Sequence, residues 1–288
     1  MSDAVSRIWT TAFQVAGSLR RQSARPWEPS GGKRVLVVAP HPDDEVLGCG
    51  GTILRHRRDG DRVAVVCVTD GRGRPGAQPD PEAYARRRRD EMERAAGVLG
   101  VEGLDWLGLP EWRWEPGDLT SRLGGVLAHR APDLLYLPSR VDYHPEHRKT
   151  AHGMALVLGP PVQGPLVRVY QVQVPLTSVL VNRVVDTSAV APDLARALDA
   201  YATQRETAGS CVRLSRYAAA FHHVDVAAEE FWELSAASYH ETHRDPPQRW
   251  STTTYRGLRR GALTDPAAYV VGRRRRRVLA AEAGRLGA

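Results

Sequence analysis

Long hydrophobic runs and closely spaced cysteines are both missing from this chain, and each absence excludes a class of protein. No window approaches 18 uninterrupted apolar residues, which argues against a transmembrane helix. The N-terminus lacks a basic region followed by an apolar stretch, so a secretory signal is not expected. The cysteines Cys49, Cys67 and Cys211 lie far apart, which excludes a disulfide framework and predicts a reducing, cytoplasmic location.

Lysine is scarce too, and the positive charge is unevenly placed. Only Lys33 and Lys149 are lysines; every other basic side chain among the 40 is arginine. The net charge of +7 comes from segment 251–288, where nine arginines face only Asp265 and Glu282. The rest of the chain is about neutral, so no specific nucleic-acid partner is expected. For the Arg-rich tail we expect either a disordered or solvated segment or, as an accessory property, a weak contact with an anionic membrane surface.

Apolar runs alternate with helical patterns through the first half of the chain. They predict buried parallel strands at 35–39, 63–69, 104–107 and 133–137, each followed by a helix, at 46–59, 82–99, 118–129 and 146–158. This order predicts an α/β, Rossmann-like fold: a mostly parallel sheet flanked by helices, in three layers. Beyond residue 160 we expect a hairpin-like pair of strands at 167–174 and 179–185, then helices at 192–206 and 213–240.

The length of 288 residues suits one main domain with extensions. We predict a peripheral N-terminal segment at 1–32, a main domain at 33–242 and an Arg-rich extension at 243–288. For the N-terminal segment we expect a helix packed on the outside of the domain, with a membrane-surface or partner helix as the alternative. The sequence predicts no oligomeric state.

A dense polar cluster, His41 to Glu45, directly follows the first strand and precedes a helix. Ligands in open α/β sheets bind outside the carboxyl ends of the strands. His41 and Asp44 are three residues apart, so they can converge on one point as Zn²⁺ ligands, which leaves Asp43 for proton transfer. A capped helix start is the structural alternative; it explains the acids but not the imidazole.

A second cluster, Asp142 to His147, follows the strand at 133–137. His144 and His147 repeat the three-residue spacing at a similar place in the fold. His41, Asp44 and one of these two histidines would give three ligands and leave a fourth position for water, as in catalytic zinc sites. The other histidine would stabilise an oxyanion, and the set favours hydrolysis of an amide or ester.

Several motifs together resemble the zinc-dependent N-acetylglucosaminyl-phosphatidylinositol de-N-acetylase family (PIG-L, or LmbE-like). The resemblance covers roughly residues 34–240. It is carried by residues 37–52 (VVAPHPDDEVLGCGGT), Thr69-Asp70-Gly71, Arg88-x-x-Glu91, Leu107-Gly108-Leu109-Pro110 and the block 138–148. It implies a hydrolase that removes an N-acetyl or N-acyl group from an amino sugar or glycoconjugate, with a metal-bound water attacking the amide carbonyl.

The resemblance also implies roles for single residues. His41, Asp44 and His147 would bind zinc, Asp43 would be the general base, and His144 would stabilise the oxyanion or protonate the leaving group. The same ligands also suit Fe²⁺ or Co²⁺. Two alternatives stay open: an amidase for a thiol conjugate or other non-acetyl amide, and an anionic-surface or nucleic-acid binding protein with a vestigial site.

Substrate-binding residues are predicted at Arg88, Glu111 and Trp112. The resemblance implies that Arg88 contacts substrate, with a solvated helix face as the alternative. Glu111 stands where the family often has Asp, and Trp112 with Trp114 is expected either to form a stacking wall for a sugar ring or to pack into the domain. Glu146 replaces the usual Asp of the second block at a position that is not a metal ligand. For Tyr201-Ala-Thr-Gln204 we expect a structural role.

Overall fold

The computed structural model describes residues 3–19, 24–27, 31–142, 144–160, 164–246, 269 and 273–285. The strands are β1 Arg25–Pro26, β2 Arg34–Ala39, β3 Arg62–Thr69, β4 Gly103–Leu109, β5 Leu134–Pro138, β6 Leu166–Tyr170, β7 Arg183–Asp186 and β8 Ala228–Ser235. The helices are α1 Asp3–Ser18, α2 Asp44–Arg58, α3 Pro81–Leu99, α4 Pro116–Arg130, α5 Pro145–Leu158, α6 Thr177–Leu180, α7 Ala191–Asp199, α8 Arg205–His222, α9 Ala236–His243 and α10 Arg273–Arg285.

One sheet, with the order β1-β7-β8-β6-β5-β2-β3-β4, organises the described residues. Its pairs are parallel except for those that β8 makes with β6 and β7. The predicted α/β fold with a mostly parallel sheet is therefore confirmed.

Alternate residues of the central strand point into two separate cores. Leu36 and Val38 pack beneath α4, α5, α9 and α10, whereas Val35 and Val37 pack beneath α2, α3 and α7. Both faces of the sheet are covered, which explains why β2 is apolar at nearly every position. Helices, sheet and helices form the three predicted layers.

Two expectations for the second half were wrong. Strands β6 and β7 do not form a hairpin, because β8 lies between them and α6 occupies part of the expected second strand. The helix expected at 213–240 ends at His222, since His223 adopts a left-handed conformation with φ 56°. Residues 228–235 form β8 instead. In this central strand two residues are half-buried and one is exposed, and the rest are buried. Because both faces are mostly covered, apolar and polar residues do not alternate along β8 as they would in a half-buried strand.

The segments on either side of the predicted main domain pack against it. Helix α1 lies on α8, and Trp27 joins the core beneath α2. Leu279 and Ala283 of α10 enter the opposite core, although residues 247–268 of the predicted extension lie outside the described residues. The boundaries at residues 33 and 243 stay a prediction. Within the described ranges, no helix is both long and apolar enough to cross a membrane.

Candidate metal centre and active site

The two polar clusters leave neighbouring strands at the same edge of the sheet. Strands β2 and β5 pair in parallel, with Val37 opposite Tyr136. The loop after β2 therefore carries residues 41–43 toward the loop after β5, which carries residues 139–142 and 144. Parallel pairing thus brings together side chains that are about a hundred residues apart in sequence.

Three donor atoms form a small triangle at this edge. Asp44 Oδ2 lies 3.1 Å from His41 Nδ1 and 3.1 Å from His147 Nε2, and the two nitrogens are 3.3 Å apart. Atoms that bind one zinc ion at about 2.0–2.2 Å in a tetrahedron stand roughly 3.3–3.6 Å from each other. The triangle therefore has the size of one face of a zinc coordination shell.

The second nitrogen of each imidazole faces a carboxylate. His41 Nε2 lies 2.8 Å from Glu146 Oε2, and His147 Nδ1 lies 3.3 Å from Asp142 Oδ2. An imidazole that donates its N–H to a carboxylate turns the lone pair of its other nitrogen outward, which is the arrangement seen around bound metals. For His41 this contact is a hydrogen bond, whereas for His147 it is an ion-pair contact without hydrogen-bond geometry. The two remaining nitrogens each lie 3.1 Å from Asp44 Oδ2, so the residues present fit a divalent cation.

The charges around the triangle also favour a cation. Burial opposes charge on His147, but Asp44 and Asp142 outweigh it and raise the pKa of His147 to about 10. Burial likewise opposes charge on Asp44, yet the two histidines hold its pKa well below the usual value. Because buried carboxylates outnumber positive groups here, bound positive charge is stabilised.

A second possible ligand set shares His41. Its nitrogen and carboxylate oxygens of Glu111 and Glu146 lie within 4.8 Å of one another. Glu146, however, already accepts hydrogen bonds at 2.7 Å from the backbone of Trp112 and from the indole of Trp114. Glu146 is therefore better suited to orient His41 than to bind an ion.

His144 lies beside the triangle as a neutral hydrogen-bond donor. Its ring centre is 4.6 Å from that of His41 and 5.1 Å from that of His147. Burial and these two neighbours hold the pKa of His144 well below its ordinary value. Its Nδ1 accepts the backbone N–H of Glu146 at 3.3 Å, so the neutral ring carries its proton on Nε2 and can donate it.

Asp43 and Arg88 form a buried pair next to the triangle. Asp43 Oδ1 lies 3.0 Å from the Arg88 guanidinium, which also donates to the Pro42 carbonyl at 2.8 Å. Burial raises the pKa of Asp43 to about 7 against the opposing charge of Arg88. A carboxyl group with a pKa near neutrality is suited to accept and return a proton. Arg88 is 5% exposed, which excludes a solvated helix face for it.

The predicted substrate residues differ in exposure. Glu111 is buried and accepts the Gly73 N–H at 2.7 Å, whereas the Trp112 ring is partly exposed, 5.0 Å from the ring of His144. Trp114 is fully buried in the core beneath α4, so the two tryptophans do not form a common wall.

Glu45, Asp142 and Glu146 complete the site, and our sequence reasoning gave them no positive role. Glu45 is fully buried and accepts a hydrogen bond from the hydroxyl of Tyr201. A signal was present for all three, because Glu45 lies inside the first polar cluster and Asp142 and Glu146 lie inside the second. The partner of Glu45, Tyr201, is 156 residues away, and the local sequence does not predict that contact.

The site lies within a recognisable family domain. Residues 36–157 match the family model described as PIG-L, GlcNAc-PI de-N-acetylase. The chain is also similar to a probable N-acetyl-alpha-D-glucosaminyl L-malate deacetylase 2 from Bacillus anthracis, with 31% identity over 136 residues. This alignment covers 44% of the chain and 59% of the relative, so the chain spans about six tenths of the length of that curated relative.

Solved structures share the fold. The N,N'-diacetylchitobiose deacetylase from Pyrococcus horikoshii gives a TM-score of 0.63 at 22% identity, over 83% of this chain and 96% of its own. The 4-carboxy-2-hydroxymuconate hydratase GalB from Pseudomonas putida gives 0.62 at 21%, over 70% and 95%. Because the two neighbours are named for different reactions, these likenesses show the fold and not the chemistry. The family match and the fold agree, since residues 36–157 match the PIG-L family model and the fold of the Pyrococcus horikoshii deacetylase is shared over 83% of the chain.

Proposed function

We propose that this protein is a metal-dependent N-deacetylase that hydrolyses the acetamide of an amino sugar. The observation that carries the proposal is the triangle of His41, Asp44 and His147 with Asp43 beside it. These three residues would hold the metal, for which zinc is the best fit to two imidazoles and a carboxylate. A zinc ion held there would lower the pKa of a water molecule and polarise a carbonyl oxygen.

The chain's own side chains supply the proton transfers. Asp43, with a pKa of about 7, would accept a proton as the nucleophile forms. Its bond to Arg88 fixes the carboxylate in place, and the second oxygen stays available. His144 would donate its Nε2 proton to the developing oxyanion or to the leaving nitrogen. Each step therefore has a group of suitable protonation beside the triangle.

The rim of the site suits a sugar. The Trp112 ring is partly exposed next to His144, whereas its indole Nε1 is buried. The exposed part of this aromatic ring would pack on a sugar ring. Glu111 and Arg88 are both buried, so they would bind the substrate at the bottom of the site and not at its rim.

Acetate release from N-acetylated amino sugars tests the proposal. Two site variants, Asp43→Asn and His147→Ala, are compared with the exposed controls Asp90→Asn and His129→Ala. We expect zinc-dependent release by the unsubstituted protein and both controls. Asp43→Asn should keep zinc and lose at least about 100-fold in kcat, because a general base contributes 10²–10⁴-fold. His147→Ala should lose the zinc. Full activity in Asp43→Asn contradicts the mechanism.

A second candidate, hydrolysis of a longer or thiol-conjugated amide, is favoured by one cavity. A mostly apolar space of about 210 Å³ lies between α2, α7, α8 and the start of β8, lined among others by Leu47, Gln171, Leu198 and Cys211. Segment 171–173 contacts both the cavity and the site, because Gln171 and Cys211 line the cavity, the Cys211 thiol contacts the Val172 carbonyl, and Gln173 donates its N–H to Asp142. A cavity of roughly 150 Å³ holds benzene, so this one has room for a short acyl chain.

Glucosamines with N-acyl chains of two to eight carbons separate the two candidates. If the cavity receives the chain, kcat/KM rises with chain length and Cys211→Phe, which fills the cavity, removes the rise while acetyl hydrolysis persists. Leu156→Phe, at an exposed position on α5, serves as the matched control. A kcat/KM that is highest for acetyl in both variants favours the first candidate.

We infer two accessory properties from the remaining observations. The widely spaced cysteines favour a cytoplasmic location. The exposed side chains of Arg273, Arg274 and Arg277 on α10 would make the predicted weak contact with an anionic membrane surface.

A further inference from the structure

The turn at 201–204, which joins α7 to α8, reaches the site by two routes. In the first, Tyr201 is fully buried and its hydroxyl donates to Glu45 Oε1. The other carboxylate oxygen of Glu45 accepts the backbone N–H of Asp43 at 3.2 Å. One buried carboxylate therefore ties the turn to the main chain of the proposed general base.

That main chain needs such support. Asp43 has φ 139° and ψ −25°, a conformation that residues with a Cβ rarely adopt. Such conformations are strained and persist only where the surroundings fix them. The hydrogen bond from Asp43 N to Glu45 is part of that fixation, together with the bond from Leu47 N to the Asp43 carbonyl at 3.0 Å.

The second route reaches the side chain of Asp43 through α3. The backbone N–H and hydroxyl of Thr203 both donate to the Glu91 carboxylate, and the Gln204 amide donates to the Tyr84 hydroxyl at 3.0 Å. Tyr84 and Glu91 lie one helical turn before and after Arg88, whose guanidinium binds Asp43. The turn therefore also fixes the stretch of helix from which Arg88 extends.

We propose that the turn Tyr201–Gln204 positions the general base, with Tyr201 setting the main chain of Asp43 through Glu45 and Thr203 setting its carboxylate through Glu91 and Arg88. Tyr201 and Thr203 are positioning residues, because neither contacts Asp43 itself. The inference rests on the proposed function for its effect on the rate. Its structural part, the hold on the strained Asp43 backbone, does not depend on the reaction.

Two conservative substitutions, Tyr201→Phe and Thr203→Val, remove one hydroxyl each. The chain offers controls on the far face of the sheet in Tyr239→Phe, which removes an equally buried hydroxyl, and Thr242→Val, which removes a more deeply buried one; both hydroxyls bond to backbone carbonyls. Zinc content, unfolding midpoint, kcat and KM are measured for all four variants. Hydrogen exchange is measured for the peptide spanning 40–46.

We expect Tyr201→Phe to raise exchange in this peptide about tenfold and to lower kcat by 10- to 100-fold, because small displacements of a reacting group cost up to about 10² in rate. KM and zinc content should hold. Thr203→Val should lower kcat alone, and the controls should change only the unfolding midpoint. In an Asp43→Asn background, Tyr201→Phe should have no further effect on kcat, since it acts through Asp43.

The outcomes separate this inference from the proposed function. Acetate release by the unsubstituted protein, with kcat unchanged in Tyr201→Phe and Thr203→Val, overturns the positioning role and leaves the function standing. If no acetate is released at all, the exchange measurement still decides: equal exchange at 40–46 in Tyr201→Phe and Tyr239→Phe overturns the hold on Asp43, whereas a selective rise supports it. If kcat falls equally in the controls, a general loss of stability explains the effect, and the positioning role is overturned.

Discussion

A single phenol fixes the charge of His56, a buried histidine beneath the sheet. The guanidinium of Arg168 donates to the Tyr136 oxygen, which leaves the Tyr136 hydroxyl proton to donate to His56 Nε2 at 2.8 Å. His56 Nδ1 can then donate to Asp61 at 2.6 Å. Both ring nitrogens are thus satisfied in the neutral form. Burial lowers the pKa of His56 to about 4, although Asp61 opposes the shift.

This pKa predicts acid sensitivity with a definite sign. Between pH 6.5, the ordinary pKa of histidine, and about pH 4, His56 is protonated in the unfolded chain but neutral in the folded chain. The free energy of unfolding therefore carries no penalty from His56 above pH 6.5, and it decreases as the pH falls below that value. A shift of this size corresponds to about 3 kcal/mol. We expect the free energy of unfolding, measured in urea, to fall less steeply with pH in His56→Gln than in the unsubstituted protein. Equal slopes contradict the assignment of the neutral form.

At the scale of elements, α2 is two helices joined at a kink. Cys49 has φ −154° and interrupts the helical pattern, so the second half begins with unpaired N–H groups. Glu229 of β8 accepts three of the available hydrogen bonds, from Gly51 N, Thr52 N and the Thr52 hydroxyl. The axis direction of the first half, which carries Asp44, is thereby set independently of the second half.

Gly48, next to the kink, has no space for a side chain. A Cβ on Gly48 would lie 2.2 Å from the Tyr170 ring, which is fully buried and whose hydroxyl donates to the Val38 carbonyl. We expect Gly48→Ala to lower the free energy of unfolding by about 1–3 kcal/mol, because the ring has no space to move. The matched control is Gly97→Ala on α3, where a Cβ meets no atom within 4 Å. This control should stabilise by about 0.5–1 kcal/mol in urea unfolding. A similar loss in both variants contradicts the steric account.

Strand β8 shows where reasoning from local sequence fails. It is the antiparallel strand of the sheet, and it is held by β6 on one side and β7 on the other. Its residues resemble a continuation of the preceding helix, because a segment with three glutamates among eight residues and little periodicity has no strand signature of its own. The strand forms because two neighbouring strands leave a vacant position with free hydrogen-bonding groups.

At the scale of the whole molecule, the Arg-rich helix α10 is both part of the core and part of the surface. Leu279 is buried, and Arg276 is buried with its Nε donating to the Pro175 carbonyl at 2.9 Å. Arg273, Arg274 and Arg277 are exposed. Deleting the helix would therefore uncover core residues, and a loss of membrane binding would be confounded by a loss of stability.

Substituting the exposed arginines isolates the surface role. We expect a triple variant in which Gln replaces Arg273, Arg274 and Arg277 to bind phosphatidylglycerol vesicles up to about 100-fold more weakly at low salt, as measured by cosedimentation. Each basic side chain near such a surface contributes about 1 kcal/mol to binding. The charge-matched control replaces Arg62, Arg86 and Arg196, which are exposed elsewhere. Neutral vesicles should bind neither protein. Equal binding by the two triple variants contradicts a specific contact of α10.

The sequence alone determined the layered sheet and the two polar clusters at its edge. Apolar runs report burial directly, and parallel strands place whatever follows them at a common edge. Only the tertiary structure decided that His147 Nε2 faces Asp44 while His144 lies beside the triangle, and that Arg88 bonds to Asp43. The link from Tyr201 to Glu45 was equally hidden. These are contacts between side chains of distant segments, and their partners are chosen by packing and charge within the folded chain, which no local pattern records.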